Sequence, residues 1–376
     1  MEHFSVIVLG GGTMGSAAAW ALGKRGVQAL VLEQYRHVHT MGSHGGRTRI
    51  IRHANAESPD YVPLVQRADA LWQELEAEAG DRILYRTGGL DLAASGFAHA
   101  RDARLSAEQF GLPFDWLDGG EVRRRWPVWN VGDDWEACYS PQAGYLSVEP
   151  GLRALAAGAR RLGVTVSEEE RVRDWRLDGT GVRIGTDRTT YTADRLIITA
   201  GAWSSQLLAE LGLPLTVLRK TLWWFDLDDP ALFAPDRFPV FITESEAGEI
   251  YGFPADEHGR LKVAAHSGGE PSDPQTVDRQ TRSGEHRDVL GTAQRVLKGV
   301  SNRLVESSVC LYTMTPDTDF IVDRLPESPH VVIGAGFSGH GFKFATAIGE
   351  QLASLVLDPT AAPLPRLALS RFSALV

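Results

Sequence analysis

Cys310 is one of two cysteines in the chain and stands in an apolar, strand-like run, ESSVCLYTMTPDTDFIVD, with Tyr312 two places on. A thiol there is either an inert buried hydrophobe or a nucleophile, and its surroundings decide which. Three further groups of residues carry possible chemistry. Arg47, Arg49 and Arg52 form a basic run in GSHGGRTRIIRHA, which is either a solvated loop or an anion site. Lys262 and His266, in LKVAAH, are four residues apart, an even step that puts both on one face of a regular strand. Gly10, Gly12 and Gly15 near the amino end, and GAGFSGHGFK near the carboxyl end, are glycine-rich loops, each followed by an Ala-rich stretch. Such loops present backbone N–H groups and a helix amino end to phosphate.

The elements around the first loop are specific. Phe4 to Leu9 is a continuous apolar run that suits a buried parallel strand. Gly10, Gly12 and Gly15 follow in G-x-G-x-x-G spacing, SAAAWALGKRG predicts a helix ending at Gly26, and ALVLE supplies a second strand. Gly10 permits the tight turn, Gly12 lets the backbone approach a pyrophosphate, and Gly15 lets helix and strand pack closely. Glu33, 18 residues after Gly15, ends the second strand. A carboxylate there accepts from ribose hydroxyls and disfavours a 2′-phosphate, so the motif predicts NAD or FAD and not NADP. The second glycine loop aims a helix amino end at another part of the same ligand. Two ends of one chain holding one cofactor favour a permanently held FAD over an exchangeable NAD.

Between the loops the pattern alternates. YVPLVQRADALWQELEAEAG is an amphipathic helix closed by Gly80, ILYRTGGLDLA reads as a pair of strands, and two short helical segments follow. After residue 146 the helix-then-strand rhythm returns, with ADRLIITAGAWSS as another buried strand. KTLWWFDLDD, FPVFITE, GEIYGFPA and GRLKVAAHS are short strands parted by Pro, Gly and Asp turns, the pattern of an antiparallel sheet. The expected class is α/β. Residues 1–60, 146–217 and 322–376 form a Rossmann-like dinucleotide domain, interleaved with a substrate domain of residues 61–145 and 218–321.

A net charge of −10 argues against nucleic acid and anionic membranes, which are bound through excess Lys and Arg. No apolar run reaches about 18 residues, and two cysteines make no disulfide framework. The reading is a cytoplasmic protein with a small-molecule ligand and no metal site.

GGGTMGSAAAW, GSHGGRTRIIRHA, YGFP, LKVAAH, VCLYTMTPD and GAGFSGHGFKF, in that order and over nearly the whole chain, resemble the monomeric sarcosine oxidase and N-methyltryptophan oxidase family. The resemblance implies an FAD-dependent oxidase of secondary amino acids that is a monomer. It would remove hydride beside the amine nitrogen to give an imine, reduce O2 to H2O2, and release formaldehyde from an N-methyl group. It also implies roles for individual residues. Cys310 would carry the flavin through a thioether, whereas Cys138 matches no motif. Arg52 and Lys343 would bind the substrate carboxylate, Arg49 would disfavour the ammonium form of the amine, and Lys262 would activate O2. His266, Tyr251 and Tyr312 would line the substrate cavity. Met14, Ser43, His44, Thr48, Gly201 and Trp203 would touch the cofactor, as would Phe337, Gly339, His340, Gly341 and Lys343. Gly45 and Arg47 depart from the pattern, since family members more often carry His and Asp there. Two other readings stay open: a dehydrogenase passing electrons to an acceptor other than O2, and a non-catalytic FAD-binding protein.

Overall fold

The computed structural model describes residues 1–326 and 328–372. Glu327 and the last four residues of the segment read as 322–376 lie outside the described residues. The strand Glu2–Leu9 pairs in parallel with Ala29–Leu32 on one side and Thr190–Ile198 on the other, and Ser328–Ala335 adds in parallel beyond. Thr165–Ser167, parallel to Ala29–Leu32, the two antiparallel strands Val172–Asp178 and Gly181–Thr186, and Ile321–Leu325, antiparallel to Ser328–Ala335, complete an eight-stranded sheet. Its central parallel strands are apolar on both faces because both are covered. Val6 and Val8 pack with the helices Thr13–Lys24, Val148–Arg161 and Ala345–Leu357, while Ile7 and Leu9 point into a second cluster with Leu196, Ile198 and Ile333.

The second sheet has nine strands, of which Thr216–Leu227, Arg260–Ala265, Gly248–Gly252 and Val240–Ser245 run antiparallel in that order. Val300–Met314, the Cys310 strand, pairs antiparallel with Thr216–Leu227. One pair departs from the antiparallel expectation: Val240–Ser245 lies parallel to Gly89–Ala93, which arrives from a distant segment.

Two local readings differ from the fold. Leu84–Arg86 and Gly89–Ala93 are both strands, but they do not pair with each other. The first joins a three-stranded sheet with Thr48–Ile51 and Gly144–Ser147, and the chain is redirected at Gly88, whose φ is +72°. The amphipathic helix Val62–Ala79 packs Val65, Ala68, Leu71, Trp72 and Leu75 into the core of the dinucleotide half, against the carboxyl-terminal helix, and not against the nine-stranded sheet. An apolar stripe shows that a helix has a partner face, not which core supplies it.

Gly15 illustrates how tightly the first loop is built. A Cβ there would collide with the Gly10 carbonyl and lie 2.8 Å from Thr199 Oγ1. Gly15→Ala should lower stability by about 1 to 3 kcal/mol, as overpacking of a filled site does. Thermal unfolding together with flavin content of the purified protein checks this; an unchanged Tm with full flavin would show that the loop can give way.

Candidate active site

A cavity of about 410 Å³ lies between the dinucleotide half and the nine-stranded sheet. At its nucleotide end Gly10 takes φ +97°, and a Cβ there would sit 2.5 Å from the Thr199 carbonyl oxygen, so only glycine makes this turn. Gly10, Gly12, Met14 and Glu33 line the wall. The helix Thr13–Lys24 starts at Gly12 with no side chain capping its first N–H groups, which leaves them for a phosphate. Glu33 is buried at the end of its strand and accepts from the N–H groups of Gly11 (2.9 Å) and Tyr35 (2.8 Å), with His39 3.4 Å away. Ser43, His44, Gly201 and Trp203 line the next stretch. Burial, with His39 nearby, pushes His44 down to about 3, so its ring is neutral, and its Nε2 has no partner among the described residues.

The other end of the cavity is aromatic and cationic. Tyr251 and Tyr312 line it, and burial raises both so that they stay protonated. His266 stands edge-on to Tyr251 at 6.1 Å, and burial lowers it to about 3, so its imidazole is neutral. Arg49 reaches the wall while its guanidinium donates to the carbonyls of Ser43 (2.8 Å), Gly45 (2.6 Å) and Thr48 (2.8 Å). Phe337, Gly339, His340, Gly341 and Lys343 close the cavity from the carboxyl-terminal loop. His340 Nε2 faces the Thr318 carbonyl at 3.1 Å.

Arg52 and Lys343 meet at this end, but not as free cations. Arg52, 4 % exposed, donates to Asp91 at 2.5 Å and to Glu57 at 3.1 and 3.2 Å. Lys343 Nζ lies 3.6 Å from Glu57 and 3.3 Å from the His340 carbonyl. Glu57 is partly buried, which works to raise its carboxyl, yet Arg52, Lys343 and His340 hold it well below the usual carboxylate range. Burial brings Lys343 down to about 8, with Glu57 acting against that fall. Glu57 and Asp91 were not legible as site residues, because nothing in their local sequence marks them as partners of Arg52.

Gly15, Thr48, Lys262 and Cys310 stand behind the wall. Lys262 is buried, and its ammonium donates to the carbonyls of Gly46 (2.5 Å) and Thr48 (2.9 Å) and to Thr48 Oγ1 (3.1 Å). Burial and the charges of Arg49 and Arg47 push it well below the normal lysine range. Cys310 is 0 % exposed, and burial raises its thiol against the pull of Arg49, Lys262, Lys220 and Arg279. Its neighbours Leu311 and Tyr312 line the cavity. Gly45 leaves room beside it, since a Cβ at that position would come no nearer than 3.7 Å to Cys310 Cβ. Arg47 turns away with φ +61°, pairs with Glu306, and lies 5.1 Å from the Trp224 ring.

The model of the FAD dependent oxidoreductase family matches residues 5–355. The chain belongs to this family. Membership makes FAD the cofactor and removes NAD from the two candidates that the glycine motif left open. Among relatives in the FAD dependent oxidoreductase family, monomeric sarcosine oxidase of Bacillus sp. (strain B-0618) is 39% identical over 360 residues, covering 94% of this chain and 92% of the relative. N-methyl-L-tryptophan oxidase of Yersinia pestis (strain Pestoides F) is 35% identical over 373 residues, covering 98% and 99%. In fold the chain is similar to NikD, an unusual amino acid oxidase essential for nikkomycin biosynthesis, with a TM-score of 0.86, 24% identity and 98% of each chain covered. It is likewise similar to glycine oxidase from Geobacillus kaustophilus, with a TM-score of 0.81, 24% identity and 99% of each chain covered.

The residues present fit FAD. The uncapped helix start, the Gly10 turn and Glu33 suit a nucleotide half, and the unpartnered His44 Nε2 faces the same cavity. The sequence reading passed over Lys220, a buried lysine in the strand Thr216–Leu227. The signal for it was a cation between Leu218 and Leu222 on one face of an apolar strand.

Proposed function

We propose that this enzyme oxidises a secondary amino acid, sarcosine or a related N-methyl amino acid, releasing the demethylated amino acid, formaldehyde and H2O2. The observation that carries the reading is the junction in one cavity of a dinucleotide cradle with an end built from Arg52, Lys343, Tyr251, Tyr312 and a neutral His266. The names of the similar proteins support the substrate class.

When bound between the Gly10 turn, Glu33 and the carboxyl-terminal glycine loop, FAD would supply the hydride acceptor and the route for two electrons to O2. The side chains have three tasks. Arg52 and Lys343 hold the substrate carboxylate, in competition with Glu57, where a charge-assisted bond inside a dry site is strong. Arg49 eases loss of the amine proton. With a pKa like that of lysine, about 10.4, the amine costs roughly 4 to 5 kcal/mol to deprotonate at pH 7, and a fixed cation nearby lowers that. Tyr251, Tyr312 and His266 bound the space in which the N-methyl group must lie. The imine carbon then takes water, and the C–N bond breaks to give formaldehyde and the primary amine.

We further read Cys310 as the point of covalent flavin attachment, and the protein as a cytoplasmic monomer. Both of its cysteines are buried and unpaired, which suits a reducing compartment. No described helix is long and apolar enough to cross a membrane. Acid precipitation tests the attachment: yellow pellet and a flavin mass on the Cys310 peptide support it, whereas complete release into the supernatant removes it. H2O2 formation from a panel of N-methyl and cyclic secondary amino acids tests the reaction. A flavin that no secondary amine bleaches without O2 would instead mark a non-catalytic FAD-binding protein.

A further inference from the structure

Lys220 is a buried cation that the reaction argued above does not use. It is 4 % exposed and lies directly across from Cys310 in the antiparallel pairing of Thr216–Leu227 with Val300–Met314, so the two side chains share a face. The cross-strand pairs on either side, Leu218 with Tyr312 and Leu222 with Ser308, carry no charge. The ammonium donates to three successive carbonyls, those of His266 (3.1 Å), Ser267 (2.6 Å) and Gly268 (3.0 Å), and lies 5.2 Å from the centre of the Tyr312 ring. Its protons therefore end on neutral oxygens. Among the described residues no carboxylate forms an ion pair with it, whereas its neighbour Arg219 is paired with Glu285. Three carbonyls fix where the charge sits without cancelling it. Removing such a charge from water is expensive, and an apolar or amide side chain would fill the position at less cost.

We propose that Lys220 is a positioning residue that readies the Cys310 sulfur for its bond to the flavin. The inference rests on the reading that Cys310 carries the cofactor. The nucleophile in such a bond is the thiolate, and apolar burial works against it. Of the four cations that favour the thiolate, Arg49 and Lys262 are tied to the loop of residues 43–48, Arg279 comes from a distant segment, and Lys220 is the cross-strand partner. In the step itself the thiol and the flavin 8α-methyl group each give up a proton, and the Sγ–C8α bond forms. The two electrons released reduce the ring, and O2 takes them up with two protons as H2O2.

The test follows attachment and not turnover. Full-length protein produced under riboflavin limitation is mixed with FAD, and flavin remaining with acid-precipitated protein is measured against time. Lys220→Gln keeps two N–H donors for the three carbonyls and loses the charge. It should bind FAD reversibly with the wild-type Tm, yet attach it at least about tenfold more slowly, the effect of one pKa unit on the thiolate fraction. Lys220→Arg should restore the rate. Wild-type attachment by Lys220→Gln, or a Lys220→Arg as slow as Lys220→Gln, overturns the inference while the Cys310 reading stands. If wild-type protein itself releases all its flavin, the Cys310 reading falls and this inference with it. Should Lys220→Gln not fold, Lys220→Met is read by the same two outcomes.

Discussion

Lys262→Met should slow reoxidation of the reduced enzyme by O2 about 10²- to 10³-fold, the usual loss when one fixed charge that stabilises a developing anion is removed. Anaerobic bleaching of the flavin by substrate should stay near the wild-type rate. The split follows from where the lysine lies. Its ammonium is locked by Gly46 and Thr48 behind the cavity wall, so it touches no substrate, but its charge is already in place when O2 takes its first electron. The aromatic ring of Phe253 lies 4.5 Å from the same nitrogen, and burial excludes the water that would otherwise screen it. The pH dependence has a definite sign. Lys262 carries charge only below its pKa, which burial lowers, so reoxidation should fall with rising pH at a point below the usual lysine range. Stopped-flow absorbance of the two half-reactions measures both effects. If Lys262→Met leaves reoxidation by O2 unchanged while substrate still bleaches the flavin, electrons leave by another acceptor and the dehydrogenase reading replaces the oxidase.

What was legible in the sequence was what is encoded locally. Gly10, Gly12, Gly15 and Glu33 lie within one strand–helix–strand unit, so their spacing alone places them, and each element lies where the apolar runs put it. The even step from Lys262 to His266 suggested two residues facing one site. The regular strand ends at Ala265, however; Lys262 turns behind the wall and His266 reaches the cavity from beyond the strand end. Periodicity describes a strand only as far as the strand extends. Long-range pairings were out of reach. Arg52 is separated from Asp91 by 39 residues, and Lys220 from Cys310 by 90, so neither the neutralised arginine nor the charged neighbour of the thiol shows in any short window. The helix Val62–Ala79 failed for the same reason: its stripe fits either core, and the contact that decides is with a helix nearly 300 residues away.

Lys343→Met should raise KM for sarcosine about 30-fold or more and change kcat far less, since truncating one partner of a buried charge pair typically costs about 2 to 5 kcal/mol. Lys343 is the cation to remove because Arg52 already gives hydrogen bonds to both Asp91 and Glu57, whereas Lys343 stands 3.6 Å from Glu57 and shares it. Arg52, Lys343, Asp91 and Glu57 together are neutral, so an arriving carboxylate must compete with Glu57 for the lysine. Glu57→Gln should therefore act in the opposite direction and lower KM for sarcosine. Dimethylamine, which has the same reacting C–N bond and no carboxylate, separates binding from chemistry: Lys343→Met should leave its kcat/KM unchanged. The ratio of kcat/KM for sarcosine to that for dimethylamine removes most of the effect of amine deprotonation. It should fall as pH rises through about 8, where Lys343 loses its proton, and the fall should be absent in Lys343→Met. Equal losses for both amines would instead place Lys343 against the flavin, its backbone being fixed by the helix Val62–Ala79, whose Trp72 Nε1 donates to its carbonyl at 3.1 Å.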